Sequence, residues 1–101
     1  MASEIHLNDV GTRFLATIKD NNVVVNVSGA PYLNFTFKKP DDSLSVKTAT
    51  LYTNGIDGKI YYDTVTGDLN QAGLYKLQGK VTLVNGTFYT DIYTFQVYNN
   101  L

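Results

Sequence analysis

The sequence predicts an all-β fold, and its composition and its side-chain alternation are the two main observations behind this prediction. The 101 residues include eight tyrosines, five phenylalanines and many valines and threonines, but only one glutamate. β-Branched and aromatic side chains fit a pleated, half-buried surface, whereas good helix formers are scarce in this chain. Apolar and polar side chains alternate with a period of two along most of the chain, and no helical period is sustained.

The number and spacing of the predicted strands indicate the architecture. A chain of 101 residues is long enough for one compact domain and too short for two. About seven short strands, separated by turn signals, predict two antiparallel sheets packed face to face, as in an immunoglobulin-like β-sandwich. Periodicity alone does not distinguish this sandwich from a barrel. Residues 12–101 form the predicted sandwich, and residues 1–11 form either an arm that joins a neighbour's sheet or the first strand of their own.

Three strands are predicted before residue 40. They span residues 12–19, 23–27 and 32–38, and the first two are separated by a turn at 20–22, since Asp and Asn tolerate left-handed backbone. The predicted inward side chains are Phe14, Ala16, Ile18, Val23, Val25, Val27, Leu33, Phe35 and Phe37.

The middle of the chain is less regular. Pro40 and the Asp-Asp-Ser that follows it end the third strand, because proline cannot donate to a sheet ladder. A fourth strand is predicted within residues 45–53, where both faces are mixed and the register is the least certain. Gly55 and Gly58 can supply positive φ, so a turn or bulge is expected between them. A short fifth strand follows at 59–65.

The last third has the clearest pattern. Strands at 74–84 and 88–98 flank Asn85-Gly86, a strong signal for a two-residue hairpin. The predicted inward side chains are Tyr75, Leu77, Val81, Leu83, Tyr93, Phe95 and Val97. Gly79 also falls on the inward face, so we expect either that a bulky neighbour fills the gap or that the strand bulges there.

Gly73 and Tyr75 are predicted to form a structural corner. In immunoglobulin-like sandwiches, a tyrosine near the start of the sixth strand bonds through its hydroxyl to the backbone a few residues upstream. The stretch from Asp68 to Leu77 has this form, with a turn, an Ala-Gly step and then Tyr75. Gly73 would leave room for the backbone beside the ring, so Tyr75 is interpreted as a structural residue.

Four short motifs, in this order and spacing, resemble one family of such domains. They are Lys39-Pro40-Asp41, Gly58-Lys59-Ile60, Ala72-Gly73-Leu74-Tyr75 and Asn85-Gly86. Over residues 12–99 the chain resembles the N-terminal immunoglobulin-like domain of bacteriophage baseplate upper proteins. It departs from the family's pattern at Asp42, where members usually have glycine.

The resemblance implies a structural role in a phage virion. It implies a domain made in the host cytoplasm that acts in tail, baseplate or fibre assembly, by docking onto other virion proteins of the tail, baseplate or capsid or onto copies of itself. It implies no catalytic or ligand-contacting residues, so the chain is predicted not to be an enzyme.

Composition argues against several other classes of function. A formal net charge of −1 offers no electrostatic footprint for nucleic acid or for anionic lipid. Glu4 stands where a secretory signal would carry a basic residue, and no apolar run is long enough to insert into a membrane. There is no cysteine for a thiol nucleophile or a thiolate metal site, and the single histidine, His6, has no nucleophile motif beside it.

No cofactor or metal site is predicted. The aspartates are scattered and do not match the spacing of a calcium-binding loop. They are interpreted as turn residues, because an Asp side chain readily bonds to its own backbone two residues on.

The exposed tyrosines are the candidate functional residues. Tyr52, Tyr61, Tyr89 and Tyr98 fall on predicted outward positions, where aromatic rings either pack across strands or anchor a protein interface. An alternative is a module that binds a host-surface receptor or a carbohydrate through these rings. A sugar platform usually includes tryptophan, and this chain has none.

Overall fold

The computed structural model describes residues 5–84 and 86–100, which form eleven strands and no helix. The all-β prediction is therefore confirmed. The strands are β1 (Ile5–His6), β2 (Arg13–Thr17), β3 (Lys19–Asp20), β4 (Val23–Val24), β5 (Tyr32–Lys38), β6 (Leu44–Thr48), β7 (Thr50–Leu51), β8 (Lys59–Asp63), β9 (Gly73–Leu83), β10 (Gly86–Tyr89) and β11 (Tyr93–Tyr98).

Most strands belong to a large sheet and a small sheet. The large sheet has the order β1-β11-β9-β5-β6, with β10 also paired to β9, and the small sheet has the order β2-β8-β7. The long strand β9 pairs along one edge with β5, and along its other edge first with β11 and then with β10. Gly86 pairs with Leu83 at the start of β10, while Asn85 of the predicted hairpin lies outside the described residues.

The strand order is that of an immunoglobulin-like fold. The order β6-β5-β9-β11 and the order β2-β8-β7 correspond to the C′-C-F-G and B-E-D orders of such sandwiches. β10 and β11 lie in succession along one edge of β9, so these strands occupy seven positions in the two sheets. The strands of the two sheets pair separately, which is the arrangement of a sandwich and not of a closed barrel.

Aromatic rings join the inner faces of the two sheets. The ring of Phe14, on the small sheet, lies 5.5 Å from that of Phe37 and 4.8 Å from that of Phe95, both on the large sheet. Tyr75 stacks on Phe95 at 5.1 Å. Most of the predicted inward side chains are buried here, so the period-two pattern identified the core. The buried hydrophobic residues are Ile5, Phe14, Ala16, Ile18, Val27, Phe35, Phe37, Ala49, Ile60, Leu69, Tyr75, Leu77, Val81, Phe95 and Val97.

The predicted strand at 23–27 is shorter than expected, and its first inward position is wrong. Only Val23–Val24 form a strand, which pairs with Lys19–Asp20 in a separate two-stranded hairpin. Asn21 and Asn22 have φ of 51° and 65°, the left-handed turn expected of Asn. Val23 is exposed because this hairpin is not part of either larger sheet, whereas Val27 is buried.

The segment with mixed faces changes sheets. Residues 44–48 pair with β5 in the large sheet, and residues 50–51 pair with β8 in the small sheet. Ala49 between them is buried, and its N–H donates to the carbonyl of Leu33 at 2.7 Å. Burial alternates without a break from Leu44 to Leu51, with the odd-numbered positions inward. The faces look mixed in the sequence because Ser45 and Lys47 take inward positions while Leu44 and Val46 are exposed.

The predicted strand at 88–98 is interrupted beside Gly79. The Oγ1 of Thr90 accepts a bond from the N–H of Gly79 at 2.8 Å, and the N–H of Thr90 donates to the carbonyl of Gly79 at 2.9 Å. A Cβ at Gly79 would lie 3.0 Å from the Thr90 methyl and 3.2 Å from both Ile60 and Phe35. The register of β9 with β5 continues through Gly79, so neighbouring side chains fill the gap and the strand does not bulge.

The described part of the N-terminal segment pairs within the chain. β1 runs parallel to β11, with Ile5 opposite Val97. The side chain of Ile5 is buried in the core, and the N–H of Leu7 donates to the carbonyl of Tyr98 at 2.8 Å. Residues 5–7 therefore form an edge of the large sheet.

Hydrogen bonds to turn carboxylates lower several pKa values. The Ser43 hydroxyl and N–H, with the Gln71 amide, lower the pKa of Asp41 to about 2. The Thr53 hydroxyl and the N–H of Lys59 lower the pKa of Asp57. Asp42, at the position where the related domains have glycine, has φ of 68°, which explains why glycine suits this turn.

We predict that the domain loses stability between about pH 4 and pH 2. Asp41 and Asp57 have lower pKa values in the folded protein than their ordinary 3.8. The unfolded chain therefore binds more protons in this pH range, and the free energy of unfolding decreases as the pH is lowered. Thermal unfolding followed by circular dichroism should give a lower Tm at pH 2.5 than at pH 6. Asp41→Asn should flatten this dependence, and an unchanged Tm across the range would contradict the prediction.

Candidate interaction surface

Tyr75 and Gly73 lie at the start of β9, where the tyrosine bonds to the loop that precedes the strand. The buried Tyr75 hydroxyl donates to the carbonyl of Gln71 at 3.1 Å and accepts from the N–H of Gln71 at 3.2 Å. This is the geometry of a tyrosine corner, and burial raises the pKa of Tyr75. Gly73 has φ of 133°, and a Cβ there would lie 2.9 Å from the ring of Pro40.

Two of the four candidate tyrosines meet on the outer face of the small sheet. Tyr61 lies on β8, directly opposite Leu15 of β2 and Thr50 of β7. Tyr52 follows β7, and its ring meets that of Tyr61 edge to face at 6.3 Å. Leu15 and Tyr52 are exposed and Tyr61 is half-buried, so the three side chains present aromatic and aliphatic area to solvent.

Arg13 completes this surface and holds Tyr61 in place. Its guanidinium lies 4.2 Å from the centre of the Tyr61 ring, within the range of a cation–π contact. The same group makes two bonds to Asp63, at 2.8 and 2.9 Å, and these bonds lower the pKa of Asp63. We call Arg13, Leu15, Tyr52 and Tyr61 the tyrosine–arginine patch.

The other two candidate tyrosines lie elsewhere. Tyr89 is opposite Lys80, and Tyr98 follows Val97, which is opposite Gly73. Both side chains are on the outer face of the large sheet and are exposed. They are about eight residues apart along β9, or about 27 Å at 3.4 Å per residue. The four tyrosines therefore do not form a single binding platform.

Sequence reasoning identified Tyr52 and Tyr61 but did not include Arg13 or Leu15 in the surface. The sequence did indicate that Arg13 and Leu15 are surface residues, because the alternation from residue 13 to 19 turns both side chains away from the core. The pairing of β2 with β8, which places Arg13 opposite Asp63, is a contact between segments 50 residues apart. Local pattern does not specify such a pairing.

The described residues were compared with the requirements of a metal site and of a membrane span. Within residues 5–84 and 86–100, no group of three or more histidine and carboxylate side chains could hold a metal ion. A surface groove of about 380 Å³ lies beside Val25 and Phe88 and has no titratable side chain in its lining. None of the described residues forms a helix that could span a membrane.

Comparison with solved structures supports the fold. The crystal structure of CopC from Methylosinus trichosporium OB3b is similar, with a TM-score of 0.61 over 99% of this chain and 90% of that chain. The two chains are 15% identical, so this likeness concerns the fold alone. No curated protein sequence matches the chain.

A family model assigns the chain more specifically. The model of the BppU N-terminal domain matches residues 4–101, which include both sheets, the tyrosine corner and the tyrosine–arginine patch. This match agrees with the motifs noted in the sequence and with the order of the strands. The chain therefore belongs to the BppU N-terminal domain family, the N-terminal domain of a phage baseplate upper protein, which is a structural protein of the baseplate.

Proposed function

We propose that the domain is a non-enzymatic attachment module that docks onto another virion protein through the tyrosine–arginine patch. Membership of a baseplate family supports a location in the virion and contacts with other virion proteins. The observation that carries the proposal is the cluster of exposed aromatic and cationic groups on a flat sheet face. Tyrosine and arginine are among the residues that most often dominate the binding energy of protein interfaces.

The patch is ordered before any partner binds. Arg13 is held by two bonds to Asp63 and by its contact with the ring of Tyr61, and Tyr61 is packed against Tyr52. Side chains that are already fixed lose little conformational entropy on binding, so more of the contact energy appears as affinity.

A receptor or carbohydrate role through the tyrosines is supported less well. Sugar recognition by stacking needs exposed ring faces, whereas the guanidinium of Arg13 lies over the ring of Tyr61. The other two candidate tyrosines, Tyr89 and Tyr98, are on the opposite sheet and far from each other. We therefore treat glycan or cell binding as an outcome to be tested beside docking.

We predict that Tyr61→Ala lowers incorporation of the protein into phage particles by about thirtyfold. The substitution removes the ring beneath Arg13 and beside Tyr52, and loss of an interface hot spot reduces affinity by about this factor or more. The amount of protein per particle should be measured by quantitative mass spectrometry, after complementation of a phage that lacks the gene.

Two control variants make the result specific. Tyr61→Phe keeps the ring and its contact with Arg13, so it should retain incorporation. Tyr89→Ala removes a more exposed ring from the other sheet. This variant leaves the tyrosine–arginine patch unchanged, so it should still be incorporated. Normal incorporation of a folded Tyr61→Ala variant would contradict the proposal. If that variant were incorporated normally but no longer bound whole cells or a glycan array, the receptor role would be favoured.

A further inference from the structure

The outer face of the large sheet carries positive charge without negative charge. Lysines occupy three of the outward positions on β5 and β9, and no outward position on the strands of this sheet holds a carboxylate. Exposed apolar side chains surround the lysines. We call this surface the lysine face, and it comprises Lys38, Lys76 and Lys80 with Leu44, Val46, Leu74 and Ile92.

Two of these lysines face each other directly. Lys38 of β5 is opposite Lys76 of β9, and like charges in this position destabilise a sheet. Lys38 has one long ion pair, with the exposed Asp42 at 3.7 Å. Within residues 5–84 and 86–100, Lys76 forms no ion pair. Asp42 therefore offsets the repulsion only in part, and only on the side of Lys38.

Shallow hollows lie on both sides of the lysine pair. One, of about 260 Å³, is bordered by Leu44 and Ile92, and the other, of about 340 Å³, by Pro40 and Leu74. Leu44 is 68% exposed and Ile92 is 61% exposed. Lys38 and Lys76 line both hollows, and Asp42 also lines the second. Apolar side chains that enter the hollows would therefore lie beside both ammonium groups.

We propose that the lysine face docks an acidic segment of a second protein. Carboxylates of that segment bind between Lys38 and Lys76, and its apolar side chains enter the two hollows. This inference rests on the proposed docking role and adds a second surface, on the opposite side of the sandwich from the tyrosine–arginine patch. The domain would then link two protein partners, one on each side.

Charge complementarity favours an acidic protein over other occupants. A second copy of this chain docked face to face would bring the three lysines of one copy against those of the other, with only Asp42 at the border of each face to offset them. Nucleic acid is bound mainly through contacts of lysine and arginine with phosphates, whereas this face offers three lysines among exposed apolar side chains. Interfaces of this mixed apolar and charged character are typical of protein partners.

A charge reversal separates docking from folding. Lys76→Glu replaces the like-charge pair with an attractive one, so the Tm of the isolated domain should rise. The same change should lower incorporation into phage particles by more than tenfold, because it places a carboxylate where the partner's carboxylate binds. Lys19→Glu reverses an exposed lysine outside the lysine face and should incorporate normally. Normal incorporation of Lys76→Glu would overturn the proposal.

Chemistry on intact particles identifies the partner's charge. Amine acetylation should modify Lys38 and Lys76 in the free domain but not in assembled particles, while Lys19 reacts in both. A carbodiimide, which joins amines directly to carboxylates, should link Lys38 or Lys76 to Asp or Glu of a different virion protein. Full reactivity of both lysines in particles, protection without such links, or links only to another copy of this chain would each overturn the proposal. Absence of the domain from particles would instead refute the proposed function.

Discussion

Asp68→Ala is expected to lower the free energy of unfolding by about 3 kcal/mol, because it breaks a largely buried ionic network between the two sheets. The Asp68 side chain is 7% exposed and lies 3.0 Å from the ammonium of Lys47, on the large sheet. It also accepts bonds from the hydroxyl of Tyr62, on the small sheet, and from the N–H of Val65. Truncation to Ala leaves all three groups without this acceptor.

The charge of Asp68 is favoured despite its burial. Burial raises the pKa of Asp68, but the bonds from Tyr62, Val65 and Lys47 outweigh that effect, and the net pKa is lowered. The same contact, together with burial, raises the pKa of Tyr62. Asp68 is thus ionised at neutral pH, and it connects the two sheets by binding Lys47 on one and Tyr62 on the other.

The loss should be measured by denaturant unfolding of the isolated domain, with two comparison variants. Asp68→Asn keeps an oxygen acceptor but not the charge, so its loss should be smaller than that of Asp68→Ala. Asp63→Ala breaks the exposed pair with Arg13, and exposed pairs contribute little to stability. If Asp68→Ala were no more destabilising than Asp63→Ala, the network would not hold the sheets together.

Asp68 also shows what the sequence could and could not predict. It was interpreted as a turn residue, and its bond to the N–H of Val65 is of that local kind. Its partner Lys47 lies 21 residues earlier and on the other sheet, and no local pattern relates the two. Local patterns predicted the core positions of β5 and β9, because each of these strands keeps one face toward the core along its length.

The errors in strand prediction arise where tertiary structure divides an extended segment. The backbone moves from one sheet to the other at Ala49, although the same alternate positions face inward before and after it. At Thr90 the strand breaks because the threonine hydroxyl bonds to the backbone of Gly79. Both events depend on a partner that is distant in sequence, and a propensity for extended structure is the same before and after them.

The candidate site was predicted in the same partial way. Outward position alone selected four tyrosines, but only the pairing of β7 with β8 brings Tyr52 beside Tyr61. The lysine face was not predicted, although the period-two pattern places Lys38, Lys76 and Lys80 on the sides of β5 and β9 that face away from the core. Its charge becomes apparent only when β5 and β9 are set side by side in register.

Tyr75→Phe is expected to lower the free energy of unfolding by about 2 kcal/mol, since it removes the hydroxyl of the tyrosine corner and keeps the ring. The hydroxyl both donates to the carbonyl of Gln71 and accepts from its N–H. Leaving buried or partly buried polar groups without a partner costs about 1 to 3 kcal/mol. Stacking on Phe95 is retained in the variant, so the change isolates the hydrogen bonds.

Equilibrium unfolding in urea measures this loss, and Tyr89→Phe is the matched control. The Tyr89 hydroxyl is on an exposed side chain and has no hydrogen bond within residues 5–84 and 86–100, so its removal should change stability by no more than an ordinary surface substitution, about 0.5 kcal/mol. A similarly small change for Tyr75→Phe would show that water replaces the hydroxyl at Gln71. The corner would then position the loop before β9 through the packing of the ring and of Gly73 against Pro40, without help from its hydrogen bonds.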